Sequence, residues 1–144
     1  MNFELTDDQR MLQEGARRYF EKSYDFRKRL ALARTGGGFS RATWREFAEM
    51  GWLAAAAPES HGGLDFSAIE LAIIAEECGR HLVLEPFTAC GVLPARLVAA
   101  IADPIQQAAR LPGIIAAEQI YAVALSEPGA RGDIDAIDAA AERS

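Results

Sequence analysis

The residues best suited to hold a ligand lie late in the chain, in Ser126-Glu127-Pro128-Gly129-Ala130-Arg131-Gly132-Asp133. They follow the apolar run Ile120-Tyr121-Ala122-Val123-Ala124-Leu125, which reads as a buried strand bounded by turn residues. A strand running into Pro-Gly and then Gly-Asp presents several backbone N–H groups at one sharp turn, and such a nest can hold a flat, hydrogen-bonding ligand. The same composition also makes an ordinary surface turn. No second strand follows within the sequence, so residues from about Ile120 onward are expected to be poorly ordered or paired with another molecule.

Other chemistry-bearing residues form weaker patterns. His61, Cys78, His81 and Cys90 contain one Cys-x-x-His spacing, and the rest match no zinc arrangement, so no metal site is expected. Asp133, Asp135 and Asp138 lack the glycine and terminal glutamate of a calcium loop. Glu76 and Glu77 are adjacent on a helix and point about 100° apart, which makes them a helix-end pair and not a cooperating dyad. No serine stands in a Gly-x-Ser-x-Gly elbow, which argues against hydrolase chemistry. Gly36-Gly37-Gly38 is followed by no Lys-Ser or Lys-Thr and reads as a flexible loop.

The elements that must position these residues are mostly helical. Thr6-Asp7-Asp8-Gln9 is a capping box, and Leu12, Ala16, Tyr19 and Phe20 recur at helical spacing behind it. Full burial of each large one is worth about 1.5–3 kcal/mol. The pattern predicts a helix running on through Phe26 and Leu30 to the glycine triplet. Ser40 caps a second helix carrying Trp44, Phe47 and Ala48, with Gly51 as its stop. Trp52 to Ala57 is a short apolar segment closed by a turn at Pro58-Glu59-Ser60-His61-Gly62-Gly63.

Ser67-Ala68-Ile69-Glu70 is a second capping box, opening a helix apolar over most of its circumference and ended by Gly79. An apolar helix from about Phe87 to Ile101 is expected to bend at Pro94. Asp103-Pro104-Ile105-Gln106 starts another, and Leu111-Pro112-Gly113 is expected to turn the chain. The fold class is therefore all-α, an orthogonal or up-down helical bundle over residues 1–117. The first strand of a truncated β domain is expected over residues 118–144.

The 144 residues suffice for a real core, and half of them are hydrophobic. The net charge of −6 argues against nucleic acid, because the one basic cluster, Arg27-Lys28-Arg29, reads as a solvated helix face. No apolar run is long enough to span a membrane, and the acidic, polar sequence after Met1 leads to the expectation of no signal peptide. Cys78 and Cys90 in apolar helical context suit reduced thiols and a cytoplasmic location.

Five motifs in order resemble the N-terminal third of the acyl-CoA dehydrogenase family. They are Leu5-Thr6-Asp7-Asp8-Gln9, Trp44 with Glu49-Met50-Gly51-Trp52-Leu53, Pro58-Glu59-Ser60-His61-Gly62-Gly63, Glu76-Glu77-Cys78-Gly79-Arg80 and Ala124-Leu125-Ser126-Glu127-Pro128-Gly129. Leu84-Glu85-Pro86 and Tyr24-Asp25-Phe26 are similar, more narrowly, to the small-subunit type of pimeloyl-CoA dehydrogenase and related hetero-oligomers.

The resemblance implies an α–β–α enzyme with FAD between the middle and C-terminal domains. Such enzymes desaturate an acyl-CoA thioester, as in the degradation of fatty acids or steroid side chains. A glutamate of the C-terminal domain takes the α proton and the flavin takes the β hydrogen as hydride. Electrons then leave to an electron-transferring flavoprotein.

By the same resemblance Val123, Leu125 and Ser126 fall where the strand end contacts the flavin. Gly132 falls where many members carry a serine near the flavin or thioester arm, and Arg131-Gly132 departs from the usual small-residue pair. Phe87, Cys90, Gly91 and Pro94 are candidate walls for the acyl tail, with plain helix packing as the simpler role. No catalytic residue falls within this chain, so it is expected to be inactive alone and not to retain FAD. The parent is expected to be a homo- or hetero-oligomer. A stand-alone helical interaction module or a non-catalytic partner subunit is the alternative, and an acyl-CoA oxidase or flavin monooxygenase relative is a third.

Overall fold

Thr6 opens the first helix by accepting the Gln9 N–H at 3.2 Å, while the Gln9 side chain accepts the Thr6 N–H at 3.0 Å. This reciprocal cap starts α1 (Asp7–Ser23). The computed structural model describes residues 4–35, 37–127, 129–130, 133 and 135–140. Helix α1 stops at Tyr24, and Asp25 caps a separate helix, α2 (Phe26–Ala33), by accepting the Arg27 N–H at 2.9 Å. The continuous helix predicted through Leu30 is thus broken. A carboxylate two residues before a backbone N–H offers a start, and Asp25 takes the extended conformation that a cap requires.

Ser40 caps α3 (Arg41–Glu49), which ends where Gly51 turns left-handed at φ +75°. Trp52 to Ala57 follows as a run of buried turns. Buried carbonyls in such a run need donors, and the returning chain supplies them. Leu64, Asp65 and Phe66 donate their N–H groups to Ala54, Ala57 and Ala55 at 3.0, 2.9 and 2.8 Å. A 3₁₀ turn at Glu59–His61 makes that return possible.

Ser67 and Glu70 form the second capping box at the head of α4 (Ala68–Arg80). A π-helical turn, Phe87–Val92, leads into α5 (Leu93–Ile101), and Asp103 caps α6 (Pro104–Ile115). The bend expected at Pro94 is this change of winding, with Pro94 in the first turn of α5, where its missing N–H is harmless. Pro112, by contrast, lies inside α6 and does not turn the chain. Leu111 and Ile114 flank it at 0% and 1% exposure. Burying two such side chains is worth about 3–6 kcal/mol, enough to offset the ~3 kcal/mol of an interior proline. The turn falls instead at Ala117, with φ +60°.

Helices α1 and α4 run in the same direction. Gln9 near the start of α1 donates to Glu70 near the start of α4 at 2.7 Å, and Arg17 a little over two turns on reaches Glu77 at 2.8 Å. Phe20 of α1, Phe47 of α3 and Trp52 meet between them with ring centroids 4.9–5.9 Å apart. Ala16, Trp44, Leu53, Ile74 and Phe87 complete this core. A second, smaller cluster joins Ala56 and Ala57 to Ala95, Leu111 and Ile114. Helix α4 is not buried all round. Ile73 and Ile74 face the core, while Ile69 is 54% exposed with Ala72 and Glu76 on its open side.

Among the described residues the regular structure is entirely helical. Ile120 to Leu125, predicted as a strand, forms no ladder, because no second strand offers its N–H and C=O groups a partner there. Among the described residues no helix is long and apolar enough to cross a membrane.

Candidate functional site

The segment after α6 is anchored at its beginning and open beyond. Ile120 packs against the aromatic core, and the Arg110 guanidinium lies 5.8 Å over the Tyr121 ring. Past that point the N–H groups of Val123, Leu125 and Ser126 make no hydrogen bond among the described residues. Leu125 is 57% exposed and Ser126 is exposed too. Unpaired among the described residues, these backbone donors and the Ser126 hydroxyl could meet a ligand that carries hydrogen-bond acceptors. Gly132 lies outside the described residues.

The four candidate tail-wall residues are mostly packing elements. Phe87 is 3% exposed in the aromatic core, and Pro94 and Gly91 are buried. A Cβ on Gly91 would stand 3.2 Å from Leu53 Cδ2 and 3.5 Å from Trp44 Cη2, so glycine here lets the π-helical turn approach α3. Cys90 is partly exposed, and burial pushes its thiol up. Of the four, Phe87 alone lines a groove of about 480 Å³, with Cys78, Leu82, Val83 and Pro86.

Two buried carboxylates emerge that the linear pattern did not single out. Glu77 is fully buried and takes a fork of bonds from Arg17, at 2.8 Å and 3.5 Å, with Arg80 at 3.4 Å. The His81 ring lies 3.9 Å away and stacks on Phe20. Burial opposes ionisation of Glu77, and the Arg17 bond and charge, with Arg80 and His81 behind them, overcome it and hold the carboxyl low. Its neighbour Glu76 reaches only the exposed Arg80 at 2.9 Å. The pair is therefore one surface residue and one core residue. The signal available in sequence was an acid in register with Ile73 and Ile74, opposite a helix bearing arginine.

Glu85 is the second, at 4% exposure. One oxygen accepts the Tyr24 hydroxyl at 2.8 Å and the other the Ser40 N–H at 3.0 Å. Both carboxylates are saturated by protein donors and tie elements together, so neither is free to move a proton. No three of His, Cys, Asp and Glu converge to hold a metal among the described residues.

A sequence model of the acyl-CoA dehydrogenase N-terminal domain matches residues 6–118, from the Thr6 cap to the end of α6. The chain belongs to the acyl-CoA dehydrogenase family. It is 32% identical over 145 residues to acyl-CoA dehydrogenase FadE29 of Mycobacterium tuberculosis, covering 99% of this chain and 37% of that protein. It superposes on a chain of the ChsE4–ChsE5 complex from Mycobacterium tuberculosis with a TM-score of 0.81 and 27% identity. That match covers 90% of this chain and 36% of that one. An acyl-CoA dehydrogenase from Bacillus anthracis complexed with FAD shares the fold, with a TM-score of 0.79 and 22% identity over 94% of this chain and 23% of that one.

The chain thus spans little more than a third of the length of FadE29. The family's N-terminal helical domain is the part matched, and it accounts for the all-α architecture of the described residues.

Proposed function

We propose that this chain is the N-terminal part of an FAD-dependent acyl-CoA dehydrogenase that removes the α and β hydrogens of an acyl-CoA thioester. The match of residues 6–118 to the family's N-terminal domain carries this reading. The helical domain would occupy residues 1–117 and the start of the middle domain residues 118–144. Bound FAD would supply the two-electron acceptor for the β hydrogen. This chain's own part is structural: α1 and α4–α6 form a wall, and Val123, Leu125 and Ser126 offer free backbone donors and a hydroxyl to the ring. Gly132 and the Phe87 side of the π-helical turn are assigned to the thioester arm and acyl tail. Cys90 and Gly91 within that turn and Pro94 just after it are assigned to the acyl tail as well.

An electron-transferring flavoprotein is the acceptor that this chemistry calls for. A hetero-oligomeric parent is supported by the likeness to a chain of the ChsE4–ChsE5 complex, and a cytoplasmic location by the two free thiols. The narrower likeness to the small-subunit type rests on Tyr24-Asp25-Phe26 and Leu84-Glu85-Pro86 as sequence, two segments that meet where Tyr24 bonds Glu85 and Leu84. The test is to sequence the native coding DNA past Ser144, express the whole frame and assay it. Flavin absorbance with acyl-CoA-dependent dye reduction is expected from the long product, and neither from the 144-residue chain. Desaturation by the 144-residue chain alone, or a long product without flavin, would sink the reading.

A further inference from the structure

Helix α2 departs from the rest of the chain in two ways at once. The helix and its C-cap carry Arg27, Lys28, Arg29 and Arg34, and no acid follows until Glu46, in a chain whose net charge is −6. Phe26 and Leu30 of the same helix are 61% and 40% exposed. At 100° per residue, Phe26, Leu30 and Ala33 fall within about 60° of one another, and all three are exposed. Arg27 and Arg34 border that stripe on one side and Arg29 on the other.

The domain holds α2 by a different side. Leu32 is half-buried, and Lys28, Arg29 and Leu32 cover a cavity of about 130 Å³ together with Tyr24, Ser40 and Thr43. Arg29 pins the helix in place, its Nε donating to the Leu82 carbonyl at 2.6 Å. Neither Phe26 nor Leu30 lines this cavity or the groove beside it. Arg27, Lys28 and Arg34 enter no ion pair among the described residues, so their charge is uncompensated there.

We propose that α2 is a docking surface for an anionic lipid bilayer. The helix lies flat on the headgroups, with Phe26 and Leu30 at the acyl boundary and the basic side chains among the lipid phosphates and carboxylates. Charge complementarity carries the assignment: clustered cations on an amphipathic helix are what an anionic leaflet attracts. A Debye length of about 8 Å at physiological salt keeps the chain's remote acids from cancelling that attraction. A protein partner recognises anchors through filled pockets, whereas Phe26 and Leu30 stand on one convex helix outside the neighbouring cavities. The contact is peripheral, with no segment crossing the bilayer, and it does not depend on the flavin reading.

The test is co-sedimentation of the 144-residue chain with two kinds of vesicle at physiological ionic strength. One is phosphatidylcholine alone, the other phosphatidylcholine and phosphatidylserine at seven to three. Binding is expected only to the mixed vesicles, and it weakens as salt is raised. Mixed vesicles also slow amide exchange across residues 26–34 of the unsubstituted chain. Arg27→Glu with Arg34→Glu lowers the partition about tenfold or more. Phe26→Ala with Leu30→Ala keeps the charge and the helix propensity, and it lowers the partition as well. Arg18→Glu with Arg45→Glu is the control, since it makes the same change in net charge at exposed positions outside α2. That control stays within about twofold of the parent, because distant charges are screened. No binding to the mixed vesicles, equal binding to both kinds, or an equal loss in the control overturns the proposal. Retention on immobilised poly-glutamate without binding to vesicles assigns the face to an acidic protein, and overturns it too.

Discussion

The Tyr24 hydroxyl donates to Glu85 Oε2 at 2.8 Å and accepts the Leu84 N–H at 2.8 Å. One phenol thereby joins the end of α1 to the connection between α4 and the π-helical turn, and Glu85 passes the link on to the Ser40 N–H at the head of α3. Tyr24→Phe leaves a buried carboxylate oxygen and a backbone N–H without a partner. The expected cost is about 1–3 kcal/mol in urea unfolding at pH 7, with the fold retained. Tyr24→Phe within 0.5 kcal/mol of the parent would show that water replaces the phenol.

The same phenol makes the chain sensitive to alkali. Burial pushes Tyr24 up to about 12, from an ordinary value near 10. Its folded value is raised, so its contribution is complete below pH 10 and is lost as pH rises through about 12. Tyr19, raised by burial and by its bond to Glu46, acts in the same direction. Stability is expected to fall from pH 10 upward in the parent and to fall less steeply in Tyr24→Phe. Equal slopes in urea titrations of the two would contradict the assignment.

Acid acts through the opposite sign. Hydrogen bonds from Gln9 and Ser67 bring Glu70 down to about 2, and Glu77 is also held low against its burial. Depressed carboxyls stabilise the fold above the ordinary value near 4.5, and that stability drains away as pH falls toward their folded values. Unfolding followed by circular dichroism is therefore expected between about pH 4.5 and pH 2. Arg17→Ala should destabilise the fold at pH 7, because it leaves the buried Glu77 carboxylate with only Arg80 and His81 facing it. Its acid midpoint should lie higher than the parent's.

How much of this was legible follows the range of the interaction. Thr6, Ser40, Ser67 and Asp103 announce their helices because a cap and its N–H lie three residues apart or less. Asp25 has the same chemistry, yet a continuous apolar rhythm through Leu30 hid it. Pro112 misled for a different reason: only the burial of Leu111 and Ile114, set by distant alanines, keeps the helix intact around it. Arg17 and Tyr24 lie 60 and 61 positions from Glu77 and Glu85, so the register of Glu77 with Ile73 and Ile74 marks the buried acid but not what it bonds. On the ligand side, residue types around Ser126 suggested backbone donors, and the N–H groups of Val123, Leu125 and Ser126 make no hydrogen bond among the described residues.

Thiol chemistry offers an independent check on the core. Burial pushes Cys78 up to about 12 and raises Cys90 as well. The thiolate is the reactive form, and three units above the ordinary value leave roughly a thousandfold less of it at pH 8. Cys78 is expected to react with a disulfide reagent at least 100-fold more slowly in the folded chain than in urea, with Cys78→Ala identifying its share. Comparable rates in both states would place Cys78 on the surface.

Two glycines should respond to alanine in opposite ways. A Cβ on Gly63 would stand 2.0 Å from the Ala57 carbonyl oxygen and 2.7 Å from its Cβ, both on the buried turn between the two core clusters. Backbone cannot yield there without releasing the Leu64, Asp65 and Phe66 hydrogen bonds that satisfy Ala54, Ala57 and Ala55. Gly63→Ala is expected to destabilise by about 3 kcal/mol or more, combining overpacking with lost backbone pairing. Gly15 lies in the middle of α1, exposed, with nothing within 4 Å of its Cβ position. Alanine there removes only backbone freedom from the unfolded chain, so Gly15→Ala should stabilise by about 0.5–1 kcal/mol. Thermal melts of the two variants against the parent decide both, and a Gly63→Ala melt matching the parent would mean that the return loop is not packed on Ala57.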